Sequence, residues 1–390
     1  MKQRLCVLFL LPVLLLTGCQ TMLERSYSSI QPHSQSLTAR EDPSALEAEN
    51  YQGLVSAVLY LVTQHMDSGI VRLYNYTGDA EADLTAACLE VVQKDPLGAF
   101  AVDYIKHEVT RIVSYYEASV TITYQRTAEE MGQVVSVTGS SAIKSELRDA
   151  FASFTPVVTL RISYFSEDDE YLLSLIRQAY YDTPQSAFGL PEVSLSLYPE
   201  SGIQRIVEIR LAYPAEAETL ALRQARLEQA AAGLLPDDKP GTARQVYDLL
   251  LGQVQLEPDP ERNSAYDALV DGLANDEGLA LAYQLLCGRA GLTCTVVQGT
   301  LEGQPHFWNI VTTDSGSRHV DASAALYGLT DTQLTNLGAY EWDRSYPICR
   351  DGRELSLAPA AKGDDSSPSE SAAETAPENA ENGEESENNP

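Results

Sequence analysis

Apolar and polar positions along this chain form two kinds of stretch that alternate. "VRLYNY", from Val71, alternates residue by residue, which predicts a strand with one buried face. "DLTAACLEVVQKDP" carries its apolar residues at helical spacing and stops at a proline. "AFAVDYIKHEVTRIVSYYEASVTITYQRT" then reads as strands around a loop. The same order returns as "VTLRISYF", "DDEYLLSLIRQAYYDTP" and "AFGLPEVSLSLYPESGIQRIVEIRLAYP". Val71 falls on Leu160, Arg72 on Arg161, Leu73 on Ile162 and Phe100 on Phe188, at a period of about 88 residues. This predicts a duplicated β-α-β-β region, with one copy in 46–145 and the other in 146–235. Each copy is expected to be an antiparallel sheet with helices on one face. The tyrosines of "SYYEAS" and "QAYYD" suit such a framework, although aromatic rings also stack on sugars and grip peptides.

"AETLALRQARLEQAAAGLL" reads as a further helix, and "PDDKPG" leads from it into the last region, 236–355. There "TARQVYDLLLGQVQL" puts Val246, Leu249 and Leu250 on one helical stripe. In "DEGLALAYQLLCGRAGL", Ala280, Leu281, Leu285 and Leu286 make a strongly apolar helix ending at Gly288 or Gly291. Such a helix is expected to lie centrally against a sheet. "TCTVVQGTL", "HFWNIVTT" and "RHVDAS" follow as three strands joined by turns at "GQ" and "DSGS". The whole is expected to be α+β.

The two ends differ from this middle. Residues 1–19 combine Lys2 and Arg4, an apolar run from Leu5 to Leu16, and "LTGC". They read as an export signal, since the apolar run is short for a spanning helix. The ending resembles a bacterial lipobox, which implies a lipid on Cys19. Residues 20–45 read as a flexible tether. Residues 356–390 are acidic and lack aromatics, which predicts a disordered tail. The chain of 390 residues has a formal net charge of -30, which argues against nucleic acid as a partner. The expected setting is the extracytoplasmic face of a membrane, reached through the lipid on Cys19. Cys88, Cys287, Cys294 and Cys349 fit no CxxC metal pattern, and their pairing stays open.

One constellation carries chemistry. The order "AYDALVDGLANDEGLALAYQLLCGRAGLTCTVVQGT", "HFWNIV", "RHVDAS" resembles the bacterial transglutaminase-like superfamily, whose core resembles papain. The resemblance covers Ala265 to Ser323 and none of the duplicated region. It implies a Cys nucleophile at the start of the central helix, a His base on one strand and an orienting Asp on the next. His306 and Asp321 match the last two, and Glu277 and Gly278 match the residues after the nucleophile. The nucleophile's own place holds Asp276.

A thiol at a helix start beside an imidazole becomes a strong nucleophile, whereas a carboxylate there is a poor one towards an amide. A carboxylate can instead cap the helix and, beside His306, raise that histidine's pKa. Asp276, His306 and Asp321 supply too few ligands for a metal site, and no cofactor is expected. Trp308 is expected to wall a cleft or fill the core, and Trp342 to cover the substrate side. The expected role is non-catalytic: binding an envelope peptide, protein or glycan, or a structural role. The alternative is a cysteine-independent peptidase or amidase-type hydrolase using His306 and Asp321.

Overall fold

The structure is a computed structural model that describes residues 38–39, 42–164, 169–235, 241–313 and 316–350. The export signal, Cys19, most of the tether and the acidic tail lie outside the described residues. Among the described residues no helix is long and apolar enough to cross a membrane. The chain mixes helices and sheets and divides into two compact units. The first takes the described residues up to Leu147, with those of Pro156–Leu175 and Glu192–Ala212. The second takes Arg148–Thr155, Ile176–Pro191 and the described residues from Tyr213 onward.

The first sheet is built from β1 (Thr38–Ala39), β2 (Asp42–Ala48), α1 (Tyr51–Thr63), β3 (Ser68–Tyr74), α2 (Ala80–Lys94), α3 (Pro96–Ala101), β4 (Val102–Ile112) and β5 (Tyr115–Tyr124). Helix starts are marked by capping side chains. Asn50 accepts from Gly53 N, and Asp79 accepts from Glu81 N and Ala82 N. Each such cap is worth about 1 kcal/mol. The strand order is β1-β2-β3-β5-β4. The helices bury Leu54, Leu61, Leu84 and Val91 in one core with Val71, Leu73, Ala118 and Val120 of the sheet.

The second sheet follows through α4 (Ala128–Gly132), β6 (Val135–Val137), α5 (Gly139–Ser153), β7 (Val157–Ile162), α6 (Asp169–Tyr181), β8 (Glu192–Tyr198) and β9 (Arg205–Ala212). Its order is β6-β7-β9-β8. β2 runs parallel to β3, with Leu46 opposite Val71 and Ala48 opposite Leu73. β6 runs parallel to β7, with Val135 opposite Leu160 and Val137 opposite Ile162. The remaining neighbours are antiparallel. Both sheets are therefore mixed, not antiparallel as the alternation suggested. A strand and a helix precede the expected β-α-β-β stretch in each. A helical crossover joins parallel strands, and local alternation carries no sign of strand direction. Between the sheets Phe100 and Ala101 bury against Ile206. The Arg126 guanidinium lies 4.8 Å over the Phe100 ring and pairs with Glu208 at 2.7 Å.

The second unit contains α7 (Ala217–Leu234), α8 (Ala243–Gln253), β10 (Gln255–Leu256), β11 (Leu273–Ala274), α9 (Asp276–Arg289), β12 (Thr293–Leu301), β13 (Gln304–Thr313), β14 (Gly316–Asp321), β15 (Leu326–Leu329), α10 (Asp331–Asn336) and β16 (Tyr340–Trp342). The sheet order is β15-β14-β13-β12-β16, antiparallel throughout. α9 buries every residue from Gly278 to Cys287 and packs on β12, β13 and α8. A helix apolar on all sides is stable only when enclosed, which explains its central place.

Candidate functional site

The site begins where α9 begins. Asn275, extended at φ -78° and ψ -174°, caps the helix by accepting from Gly278 N at 3.0 Å. Capping, expected of Asp276, therefore falls to its neighbour, and Asp276 turns its carboxylate to β13 instead. Gly278 permits the tight start. A Cβ there would lie 2.8 Å from Arg262 O and 2.9 Å from Ser264 O, too close for any other side chain.

β13 and β14 bring the partners. His306 lies opposite Gly299 of β12, and Asp321 closes β14. His306 Nδ1 is 2.7 Å from Asp276 Oδ2, and His306 Nε2 is 2.7 Å from Asp321 Oδ2. Asp276 Oδ2 also accepts from Phe307 N at 3.0 Å. Asp321 Oδ2 accepts from the Tyr340 hydroxyl at 2.8 Å. Its Oδ1 accepts from Ser323 N, Ser323 Oγ and Ala324 N. The structure thus brings Asp276, His306 and Asp321 into one chain of hydrogen bonds. Their side chains are 24 %, 10 % and 2 % exposed, so the imidazole is nearly enclosed.

The electrostatics follow from this geometry. Burial alone would push the His306 pKa down. Hydrogen bonds to Asp276 and Asp321, with their charges, outweigh burial and raise it to about 9. Burial also works against the Asp321 carboxylate, but His306 and the donors from Ser323 and Ala324 hold its pKa below the usual value. With its pKa raised to about 9 the ring is a cation at neutral pH, and each N–H donates a hydrogen bond to a carboxylate.

Glu277 adds a third carboxyl beside the pair. Burial, with the charge of Asp276, pushes it up to about 7. Its Oε1 accepts from the Tyr181 hydroxyl at 2.8 Å, and the Tyr181 ring lies 5.6 Å from that of Phe307. Tyr181 closes α6, far back in sequence, so part of the central region reaches the site. No local spacing links Tyr181 or Tyr340 to the trio; only the fold does.

Trp308 is 1 % exposed and fills the core. Its ring stacks on His306 at 5.9 Å, and its Nε1–H donates to His319 Nδ1 at 3.0 Å. Trp342 packs edge-on against Trp308 and His319, with the Arg344 guanidinium 4.6 Å over its ring. All four cysteines of the described chain are free thiols. Cys88 lies in the core under the first sheet, where burial pushes its thiol up to about 12. Burial and the neighbouring Cys287 thiol raise Cys294 as well. Cys349 is buried beside His319 and Asp331, with Trp308 between these and His306.

His319, Asp331 and Cys349 cluster with donor atoms within 4.8 Å of one another, which invites a metal test. The indole N–H can only donate, so His319 Nδ1 must accept. The proton of neutral His319 therefore sits on Nε2 and is given to Asp331 Oδ1 at 2.8 Å. A cation would need that same nitrogen's lone pair, and a thiolate from a thiol that burial pushes up to about 12. The cluster fits a hydrogen-bonded brace rather than a metal centre.

No family model and no curated protein matches the chain. Among solved structures it is similar to a transglutaminase (TGase) at 14 % identity and TM-score 0.25, over 64 % of this chain and 71 % of that one. It is also similar to a Parabacteroides distasonis protein provisionally described as a protease, at 11 % identity and TM-score 0.20, over 66 % of this chain and 40 % of the other. Scores of this size leave the fold to rest on its own elements.

Proposed function

We propose that residues 236–355 form a transglutaminase-like domain that has lost acyl transfer and serves the cell envelope by binding a peptide or glycan or by a structural role. One observation carries this reading. Both nitrogens of His306 are hydrogen-bonded to carboxylates at 2.7 Å, one of them from the residue at the nucleophile's place. A general base needs a free lone pair within reach of the proton it takes, and a doubly donating imidazolium has none. A carboxylate at 276 also offers no thioester route. In this reading the lipid on Cys19 holds the protein at the extracytoplasmic face of the membrane. We further read the two sheets of the central region as copies of one β-α-β-α-β-β unit. Their matching strand orders and parallel pairings support that.

The test is turnover by the full chain on glutamine amides with an amine acceptor, and on peptide amides. No turnover is expected from wild type or from His306→Ala. Activity that His306→Ala abolishes would overturn the proposal. If a thiol-blocking reagent leaves that activity intact, the cysteine-independent hydrolase is the right reading; if the reagent stops it, a displaced cysteine is at work.

A further inference from the structure

Two thiols of the second unit, Cys287 and Cys294, take no part in the His306 site. Cys287 lies in the last turn of α9 and is buried, and Cys294, half-buried, is the second residue of β12. They are seven positions apart, and the chain between them reverses through a tight helix end. Gly291 N donates to Gly288 O at 3.1 Å, and Leu292 N donates to Cys287 O at 2.9 Å. This pair of bonds is the helix ending that needs a left-handed residue, and Gly291 supplies it at φ 74°. The reversal sends β12 back along the last turns of α9.

Side-chain directions then decide whether the two sulfurs face each other. Cys294 pairs with Val311 of β13, so both point to one side of the sheet. Asn309 shares that side, two residues along β13. Its Nδ2 donates to Ala280 O of α9 at 2.9 Å, so this side faces the helix. On α9, Ala280, Gln284 and Cys287 follow at spacings of four and three, on one stripe. Gln284 Nε2 reaches across and donates to Cys294 O at 3.2 Å. The stripe holding Cys287 and the sheet side holding Cys294 thus form one interface, and the two thiols meet in it. The Cys287 thiol adds to burial in keeping the proton on Cys294. The other two thiols of the described residues have different surroundings. Cys88 belongs to the core of the first sheet, and Cys349 packs with Trp308 and Ile310 on the opposite side of the second-unit sheet.

We propose that Cys287 and Cys294 join in a disulfide when the chain folds under oxidising conditions, tying the last turns of α9 covalently to β12. The oxidant is a small-molecule or protein disulfide that undergoes thiol exchange. One cysteine sulfur, as thiolate, attacks a sulfur of the oxidant; the oxidant's S–S bond breaks, and its released sulfur takes up the proton. The second cysteine sulfur then attacks the first in this mixed disulfide, and the oxidant's other sulfur leaves with the second proton. The chain loses two electrons and two protons, and the oxidant gains both. The exchange belongs to folding, before α9 closes on the sheet and burial holds Cys294 protonated. The proposal is independent of the state of His306.

The full chain is unfolded in urea with dithiothreitol and refolded in a buffer of oxidised and reduced glutathione. Thiols still free are alkylated with N-ethylmaleimide in urea, and the chain is cut with trypsin without reduction. Cleavage after Arg262, Arg289 and Arg318 puts the two cysteines in separate peptides, 263–289 and 290–318. One mass joining these two peptides is expected, split by dithiothreitol, with Cys88 and Cys349 alkylated. The folding equilibrium constant from urea unfolding should be at least about tenfold larger for the oxidised chain than for the chain kept in dithiothreitol. Cys294→Ser should lose that gap, and Cys88→Ser should keep it. Should Cys294→Ser not fold, the peptide map and the oxidised-against-reduced comparison of wild type still decide. Alkylation of both Cys287 and Cys294 in most refolded molecules, or pairing of either with another cysteine, would overturn the proposal. An oxidised chain no more stable than the reduced one, or a gap that Cys294→Ser retains, would overturn it as well.

Discussion

Alkaline pH should weaken this fold in a defined window, because His306 is held as a cation. Its folded pKa is about 9, against an ordinary value of 6.5. A group raised in this way contributes stability that is fully present below the unfolded value and is lost as pH climbs through the folded one. At about 1.36 kcal/mol per unit the contribution is about 3 kcal/mol. It should disappear between pH 6.5 and pH 9. The His306 side chain is only 10 % exposed, so solvent screens little of it. Glu277 acts in the same direction but earlier: its raised carboxyl loses its contribution between 4.5 and about 7. The two windows therefore separate near neutrality. Urea unfolding of the full chain from pH 7 to pH 10 should show wild type losing about 2–3 kcal/mol relative to His306→Gln. Nuclear magnetic resonance of the His306 Cε1–H should titrate with a midpoint near 9. A midpoint at or below 6.5, or parallel stability curves for the two proteins, would refute the clamped imidazolium and the inert reading built on it.

Asp276→Cys should place a thiol against Nδ1 while Nε2 stays on Asp321. Sulfur's longer contact with nitrogen offsets the shorter side chain. Its pKa, read from the pH dependence of alkylation by iodoacetamide, should fall below about 7.5, and an ordinary value of about 8.5 would reject the placement of residue 276 against the His306 ring. Gly299→Ala would drive a Cβ into the Trp308 ring and Glu341 O. It should destabilise the chain by about 1–3 kcal/mol in urea unfolding, and a loss under about 0.5 kcal/mol would show that β12 and β16 can shift apart there.

The central helix and the strands bearing His306 and Asp321 were legible because their signals are local and strong. Ten buried residues in a row, bounded by Asn275 and by Gly288 and Gly291, leave one reading. β6 was not legible: three residues, "VSV", are too few for periodicity to show. α1 was hidden for the opposite reason. "LVSAVLYLV" is so apolar that a buried strand and a buried helix look alike, and length alone separates them. The capping error at Asp276 has a similar root. Asn275 and Asp276 are both good caps, and only backbone angles decide which residue precedes the first turn. Tyr181, Tyr340 and the Trp308–His319–Asp331 brace rest on contacts between distant segments, which no pattern of neighbours records.

The carboxylate at position 276 also holds the rest of the arrangement in order. One of its oxygens bonds both the His306 ring and the Phe307 backbone, so it ties the start of α9 to β13 twice. From His306 the chain of bonds continues to Asp321 at the end of β14 and on to Tyr340 of β16. Four elements are thus joined through one enclosed ring. Removing a single member would leave a buried charge without its partner, at a cost of about 3–5 kcal/mol, while the intact set is close to neutral against a well-packed apolar replacement. The imidazole and the two carboxylates therefore stay in place for a physical reason: each is the counter-ion that makes burial of the other tolerable.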